Sequence, residues 1–391
     1  MTTEKGVWNL QQVRDKQLQS LWDYSGAGSL WMAGSYLPYN LTGAPYNRSS
    51  PVQVPGSALW TTKQSAGGGN NYNVKSDGTL WSMGGNNKGQ LGIGNNTNQS
   101  SPIQIGSGTD WSDVESSSYW ALALKTDGTL WSWGDNRKGQ LGQNNKTEYN
   151  SPVQIPGTTW SKLPENLLAY GVEPGVAAIK SDGTLWSWGY NDYVGELGLN
   201  DRANRSSPTQ IPGTTWSTVS CGGGNMVAIK TDGTLWTWGA NGSGILGQNV
   251  HDTPAKRSSP VQIYGGGTTW AHATVNKSTA MSGVKTDGTL WVWGDNYKGQ
   301  LGLNEQGTDA TYRSSPTQVP GTTWSKCYVG NTSMMALKTD GTLWAWGYVE
   351  YGTLAINKSG PDTSSVSSPT QIPGVWQGVS NAMYHSSLIR E

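Results

Sequence analysis

The sequence predicts an all-β fold: a seven-bladed β-propeller of four-stranded blades, closed by one blade split between the two termini. Three observations carry that prediction. Asp-Gly-Thr-Leu-Trp recurs six times, at 77–81, 127–131, 182–186, 232–236, 287–291 and 340–344, with Asp-to-Asp intervals of 50, 55, 50, 55 and 53 residues. A Ser-Pro phrase recurs seven times, at Pro51, Pro102, Pro152, Pro208, Pro260, Pro316 and Pro369, and a tryptophan follows each: Trp60, Trp111, Trp160, Trp216, Trp270, Trp324 and Trp376. The chain ends are complementary halves of one further repeat. A fixed period of this size indicates one small unit copied around an array.

Each strand follows from the repeat. Residues 226–231 (Met-Val-Ala-Ile-Lys-Thr) and 234–239 (Thr-Leu-Trp-Thr-Trp-Gly) flank Asp232-Gly233. Two β-prone runs around Asp-Gly predict a hairpin, with a two-residue type I′ turn expected and positive φ at both turn residues. A Gly-Gln-Leu-Gly element comes next, at 89–92, 139–142 and 299–302, with variants at 195–198 and 244–247. After a polar loop comes the Ser-Pro phrase. Proline cannot donate to a ladder, so this strand belongs at a sheet edge or a strand start. A short segment beginning at the blade tryptophan, such as 216–220, completes four strands without a helix.

The seventh blade is read from the ends. Trp216 lies 14 residues before Lys230, and Trp376 lies 14 before Arg390, so 387–390 is a first hairpin strand. Its partner is 28–34, Gly-Ser-Leu-Trp-Met-Ala-Gly. Joining them closes the ring and leaves no free sheet edge. The chain therefore divides into residues 1–27 and a propeller over 28–391. In the first segment Asn9 is placed as an N-cap with Gln12 three residues later, and Trp8 can staple onto Val13, which predicts a short helix. Leu10, Val13, Leu18, Leu21 and Trp22 give it an apolar stripe, either folded onto the propeller or anchored in a larger assembly.

The phrase at 124–142, Leu-Lys-Thr-Asp-Gly-Thr-Leu-Trp-Ser-Trp-Gly-Asp-Asn-Arg-Lys-Gly-Gln-Leu-Gly, resembles the repeat of the regulator of chromosome condensation family. The resemblance covers 28–391 and implies the same seven-bladed propeller. Repeats of that family commonly carry a histidine before the inner strand. Only His385 keeps it here, with Trp120, Asn70, Asn225 and Ser333 at equivalent places. The founding member is a nucleotide exchange factor for a small GTPase that sits on nucleosomes, and another is a secreted inhibitor of β-lactamases. The sequence shows no insertion resembling the exchange factor's GTPase-facing wedge, and no basic tail. Fold alone does not fix function.

Composition narrows the classes. Formal charge is +0, from 26 basic and 26 acidic residues, and only 13% of residues are charged. Phosphate neutralisation needs a basic stripe, and the sequence offers only scattered Lys88, Arg137, Lys138 and Lys298, so nucleic acid is not an expected partner. With 22 tryptophans and no phenylalanine, indoles fill the core; Trp131 and Trp133, one residue apart, share a strand face. The two cysteines, Cys221 and Cys327, fall in different blades and are expected as free buried thiols. No segment resembles a signal peptide or reaches the length of a membrane span.

No catalytic constellation emerges, and no metal or cofactor is expected. His251, His272 and His385 lie in different blades without metal-ligand spacing. The turn aspartates Asp77, Asp127, Asp182, Asp232, Asp287 and Asp340 recur because the turn needs them. The glycine runs at 67–69 and 222–224 lack the continuation of a phosphate loop. Variable loops are more informative, because rigid scaffolds carry function there. Three hold seven residues (93–99, 143–149, 199–205), and the next three hold ten, eleven and eleven (248–257, 303–313, 356–366). His251, Lys256, Arg257, Glu305, Tyr312, Arg313 and Lys358 are thus candidate contact residues. A separate insertion occupies 163–174.

Residues 6–12, Gly-Val-Trp-Asn-Leu-Gln-Gln, resemble a short segment of marine bacteriophage tail and tail-fibre proteins. With low charge and no enzyme site, this points to a non-enzymatic virion component in tail, fibre or surface decoration. Residues 1–27 would anchor it among other virion proteins, and the propeller would meet a host surface protein or glycan, with homo-oligomerisation inside the assembly. The alternative is a freestanding interaction module or enzyme inhibitor, cytoplasmic or extracellular without a cleaved signal. A GTPase exchange factor is the remaining reading.

Overall fold

The computed structural model describes residues 29–34, 48–54, 60–168, 175–250, 256–275, 279–307, 312–349, 354–356, 365–381 and 385–390. They form seven sheets around one axis. Blades one to six span 60–104, 111–155, 160–210, 216–262, 270–319 and 324–372, and blade seven joins 376–390 to 29–53. Of the four strands of each repeat, the one starting at the blade tryptophan is innermost, and outside blade three it packs against the inner strand of a neighbouring blade. The hairpin follows, and the Ser-Pro strand is outermost.

The split blade forms as the sequence predicts. Ser29–Gly34 pairs antiparallel with His385–Arg390, from Ser29 opposite Arg390 to Gly34 opposite His385. Trp376–Asn381 lies inside this pair and Arg48–Gln53 outside it. Edge prolines sit at register breaks: Ser82 faces Ile103 but Gly84 faces Gln99, so Pro102 falls in a bulge where no ladder donor is needed.

The hairpin turn differs from the expected type I′. Gly78 N donates to Lys75 O at 2.9 Å and Lys75 N to Thr79 O at 2.9 Å, which closes a three-residue loop. Gly78 has φ 77°, whereas none of the six turn aspartates is left-handed. This is a type I turn followed by a left-handed glycine bulge. The cause is local. Asp77 Oδ1 accepts from Thr79 N at 3.0 Å and Thr79 Oγ1 at 2.6 Å, and Trp81 Nε1 donates to Thr79 Oγ1 at 2.8 Å. The same Asp–Thr–Trp relay recurs in the other five turns.

Two tryptophan roles divide the core. The first indole of each hairpin is half-buried and in six blades meets the blade tryptophan edge-on, as Trp131 does with Trp111 at 6.2 Å. Lys125 Nζ lies over both rings, at 5.0 and 4.8 Å. Lys75, Lys180, Lys230, Lys285, Lys338 and Arg390 repeat that cation–π arrangement in the other blades. The second indole is fully buried and ties neighbouring blades together. Trp133, Trp188, Trp238, Trp293 and Trp346 donate to the carbonyls of Gln90, Gln140, Glu196, Ile245 and Gln300, each in the Gly-Gln-Leu-Gly element of the preceding blade. Ala33 and Met83 replace this indole in blades seven and one. At the seam between blades seven and one, Met83 and Trp60 pack with Leu30, Met32, Val54 and Ile389. Polar bonds join the same seam: Ser387 Oγ donates to Gln64 Oε1 at 2.6 Å, and Gln64 Nε2 to Ser387 O at 3.3 Å.

Candidate functional site

Blade three breaks the pattern at the axis. Its inner strand ends after Trp160–Lys162, and residues 163–168 cross to blade four. Leu167–Leu168 pairs in parallel with the inner edge of Trp216–Gly222, opposite Cys221 and Gly222, as a fifth strand. Glu165 N donates to Val219 O at 2.7 Å, and Cys221 N to Asn166 O at 2.9 Å. Asn166 Nδ2 reaches Val329 O of blade six at 3.1 Å. An open strand edge exposes unpaired amides, and this segment covers the one lining the axis in blade four. The described half of the 163–174 insertion is therefore an internal plug, not a surface loop.

Charged groups from five blades converge beside the plug. Lys63 of blade one pairs with Asp113 of blade two at 2.8 Å. Ser65 Oγ donates to Glu115 Oε2 at 3.1 Å. Glu165 Oε2 lies 3.7 Å from Nε2 of His272 in blade five. The other ring nitrogen of His272 is 3.3 Å from Cys327 Sγ of blade six, with the Tyr328 ring centroid 6.1 Å away. Cys221 and Cys327 are both free and buried.

The environment sets the charge states. Burial pushes the His272 imidazole down, but Cys327 and Glu165 outweigh it and hold the group up at about 9. Burial alone pushes Glu165 up, and the His272, Lys326 and Lys63 charges bring it down to about 2. Glu115 stands well above the usual carboxylate range, first through burial and then through the Asp113 charge. Burial also raises Asp113 despite Lys63, and raises the Cys221 thiol to about 12.

One register level supplies Lys63, Asp113, His272 and Lys326. Asp113, Lys162, Thr218, His272, Lys326 and Gly378 each stand two residues after the blade tryptophan, opposite the residue that precedes the hairpin lysine or arginine. Blade one has one extra residue before Gln64, which puts Lys63 at that level. The signal lay in the sequence as a column of the repeat.

The variable loops lie at the sheet ends away from the Asp-Gly turns. Lys256 Nζ sits 4.8 Å over the ring of Tyr193, in the blade before it. Arg257 is exposed, opposite Gly239. Glu305 pairs with Arg313 at 2.5 Å, and Arg313 Nη1 donates to Tyr312 O at 3.2 Å. His251 and Lys358 lie outside the described residues, as do Trp8, Leu10, Val13, Leu18, Leu21 and Trp22 with the expected helix. Sequence reasoning named Tyr312 but missed the other tyrosines of this face. Lys138 lies 5.0 Å over Tyr190, and Lys298 lies 4.9 Å over Tyr297 and 4.5 Å over Tyr348. Tyr193 is 63% exposed and Tyr297 48%. Trp-Gly-Tyr at 188–190 and 346–348 was the available signal.

Residues 77–124, 127–162, 182–229 and 287–337 match the regulator of chromosome condensation (RCC1) repeat, and 111–140 and 216–245 match a second description of it. The chain is an RCC1-repeat propeller. It is 28% identical over 206 residues to the ultraviolet-B receptor UVR8 of Arabidopsis thaliana, across 49% of this chain and 43% of the receptor. The chain thus matches less than half of that relative's length. Human WBSCR16 has a similar structure, with a TM-score of 0.76 at 20% identity over 93% of this chain and 99% of that one. Prp20p of Saccharomyces cerevisiae gives 0.76 at 18%, over 93% and 92%. At these identities the likeness establishes the fold. Among the described residues of this RCC1-repeat propeller, no group of three His, Cys, Asp or Glu side chains is placed to hold a metal ion.

Proposed function

We propose that this RCC1-repeat propeller is a protein-interaction module that docks its partner on the loop face. The observation that carries the reading is the set Tyr190, Tyr193, Tyr297 and Tyr348, each with a lysine over its ring. Tyrosine and arginine are enriched at interface hot spots. A ring held by a cation is pre-ordered, which reduces the entropy lost on docking. Relatives of this fold also act by binding: Prp20p has binding properties toward Gsp1p and histones, and yeast RCC1 has been captured with Kap60. The balanced charge of this chain favours a protein partner over nucleic acid. A photo-crosslinking residue at position 193 or 297 should trap one and the same protein in extracts of the source. The same residue in place of Tyr264, on the Asp-Gly face, should not. Crosslinks confined to position 264 would overturn the choice of face.

A second reading rests on residues 6–12 and their resemblance to phage tail proteins. In it the module is a virion component anchored through residues 1–27, and the loop face meets a host protein or glycan.

A further inference from the structure

We infer that the propeller axis holds a binding site for a small oxyanion, of phosphate or carboxylate type, on the Asp-Gly-turn side of the plug. The site is independent of the loop-face reading and lies at the other end of the axis. Inner strands start beside the Asp-Gly turns, as Trp111 N donating to Gly78 O at 3.0 Å shows for blade two. The level two residues after the blade tryptophan is therefore near that face. The plug pairs with Cys221 and Gly222, at the far end of the inner strand of blade four. Ligand would reach the cluster from the turn face, with the plug as its floor.

The cluster mixes the lysines Lys63, Lys162 and Lys326 with the carboxylates Asp113, Glu115 and Glu165. Lys63 is paired with Asp113, and Lys162 Nζ donates to Ser217 O at 2.6 Å. Lys326 and His272 share the single carboxylate of Glu165. His272 is 6% exposed, and its Nε2 has no hydrogen-bond partner, since Glu165 stands 3.7 Å away. A buried ring N–H without an acceptor is costly. An oxyanion between Nε2 and Lys326 Nζ would supply that acceptor through charge-assisted hydrogen bonds.

The test uses the intact protein with nitrogen-15 histidine. The sequence has three histidines, so the His272 ring signals are separable. Inorganic phosphate and succinate are titrated in separate arms at constant ionic strength set with chloride. A saturable shift of the His272 Nε2 signal in either arm supports the site, and the stronger arm identifies the oxyanion class. Lys326→Met should weaken binding about ten-fold, with an unchanged melting curve because Lys326 is exposed. Lys256→Met, on the loop face, should leave binding unchanged. A shift that grows linearly and is matched by chloride overturns the inference, as does undiminished binding in Lys326→Met.

Discussion

The indole Nε1 of Trp133 donates to the carbonyl oxygen of Gln90 at 2.7 Å, across the seam between blades two and one. Both residues belong to the repeat, so one hydrogen bond accounts for two motifs that sequence alone leaves unconnected. Trp133→Phe keeps most of the apolar bulk but leaves a buried carbonyl without its donor. The expected loss is about 2 kcal/mol in urea unfolding. Trp131→Phe, at a half-buried ring bonded only to Thr129 within its own blade, should lose less. Equal losses would mean that the seam bond contributes nothing beyond packing.

Gly233 has φ 77°, and a β-carbon placed there would stand 2.1 Å from Thr268 O. Gly233→Val therefore meets both backbone strain and a fixed carbonyl, and the expected cost is about 3 kcal/mol. Asp232→Asn keeps an acceptor for Thr234 and should be milder. A neutral Gly233→Val would contradict the left-handed bulge assigned to the turn.

The strands, the blade number, the split closure and the edge prolines were all legible, because periodicity repeats each signal up to seven times. The type I′ expectation failed because Asp77 bonds Thr79 and stays right-handed, a side-chain contact that the Asp-Gly pair does not announce. The destination of residues 163–168 was not legible at all. An insertion has no second copy in the repeat for comparison, and its partners Val219, Cys221 and Val329 lie 54 residues or more away along the chain. The axial charges were visible only as a column two residues beyond the blade tryptophan, which becomes meaningful once those strands are known to be innermost.

Stability should depend on pH through the plug. His272 sits at about 9 when folded, above its usual ~6.5, so its contribution is complete below about 6.5 and fades as pH rises through 9. Glu165 sits at about 2, below its usual ~4.3, so its contribution is complete above that value and fades as pH falls toward 2. Asp113 and Glu115 are held above their usual values, so they keep protons in the fold while the unfolded chain ionises. Stability should therefore peak near about pH 4 and decline gradually as pH rises. It should decline further along an alkaline limb above about 6.5 set by His272, and decline again toward about pH 2. His272→Gln should flatten the alkaline limb, which is expected to amount to about 1–3 kcal/mol. An alkaline limb identical in this variant would remove His272 as its cause.

Ring closure rests on six paired residues, Ser29 to Gly34 against His385 to Arg390. Deleting 385–391 strips the partner from Leu30 and Trp31 and exposes two strand edges. Cooperative unfolding should be lost, or the protein should aggregate on purification. The seam with blade one lacks an indole bond and combines an apolar cluster with the Gln64–Ser387 hydrogen bonds, so Gln64→Ala should lower the melting temperature more than Ser112→Ala, a half-buried change within blade two. The reverse order would show that the Gln64–Ser387 bonds are not the weak point of the ring.

The two functional readings separate on residues 1–24. The closing strand begins at Ser29, so removing them leaves every pairing of the split blade in place. If the protein is a virion component anchored by Trp8, Leu10, Val13, Leu18, Leu21 and Trp22, the shortened chain should fold with an unchanged melting curve and fail to enter the particle. A freestanding module should keep its loop-face crosslinks at position 193 after the same truncation. A shortened chain that unfolds would place those apolar residues in the propeller's own core, which removes the anchor and with it the virion reading.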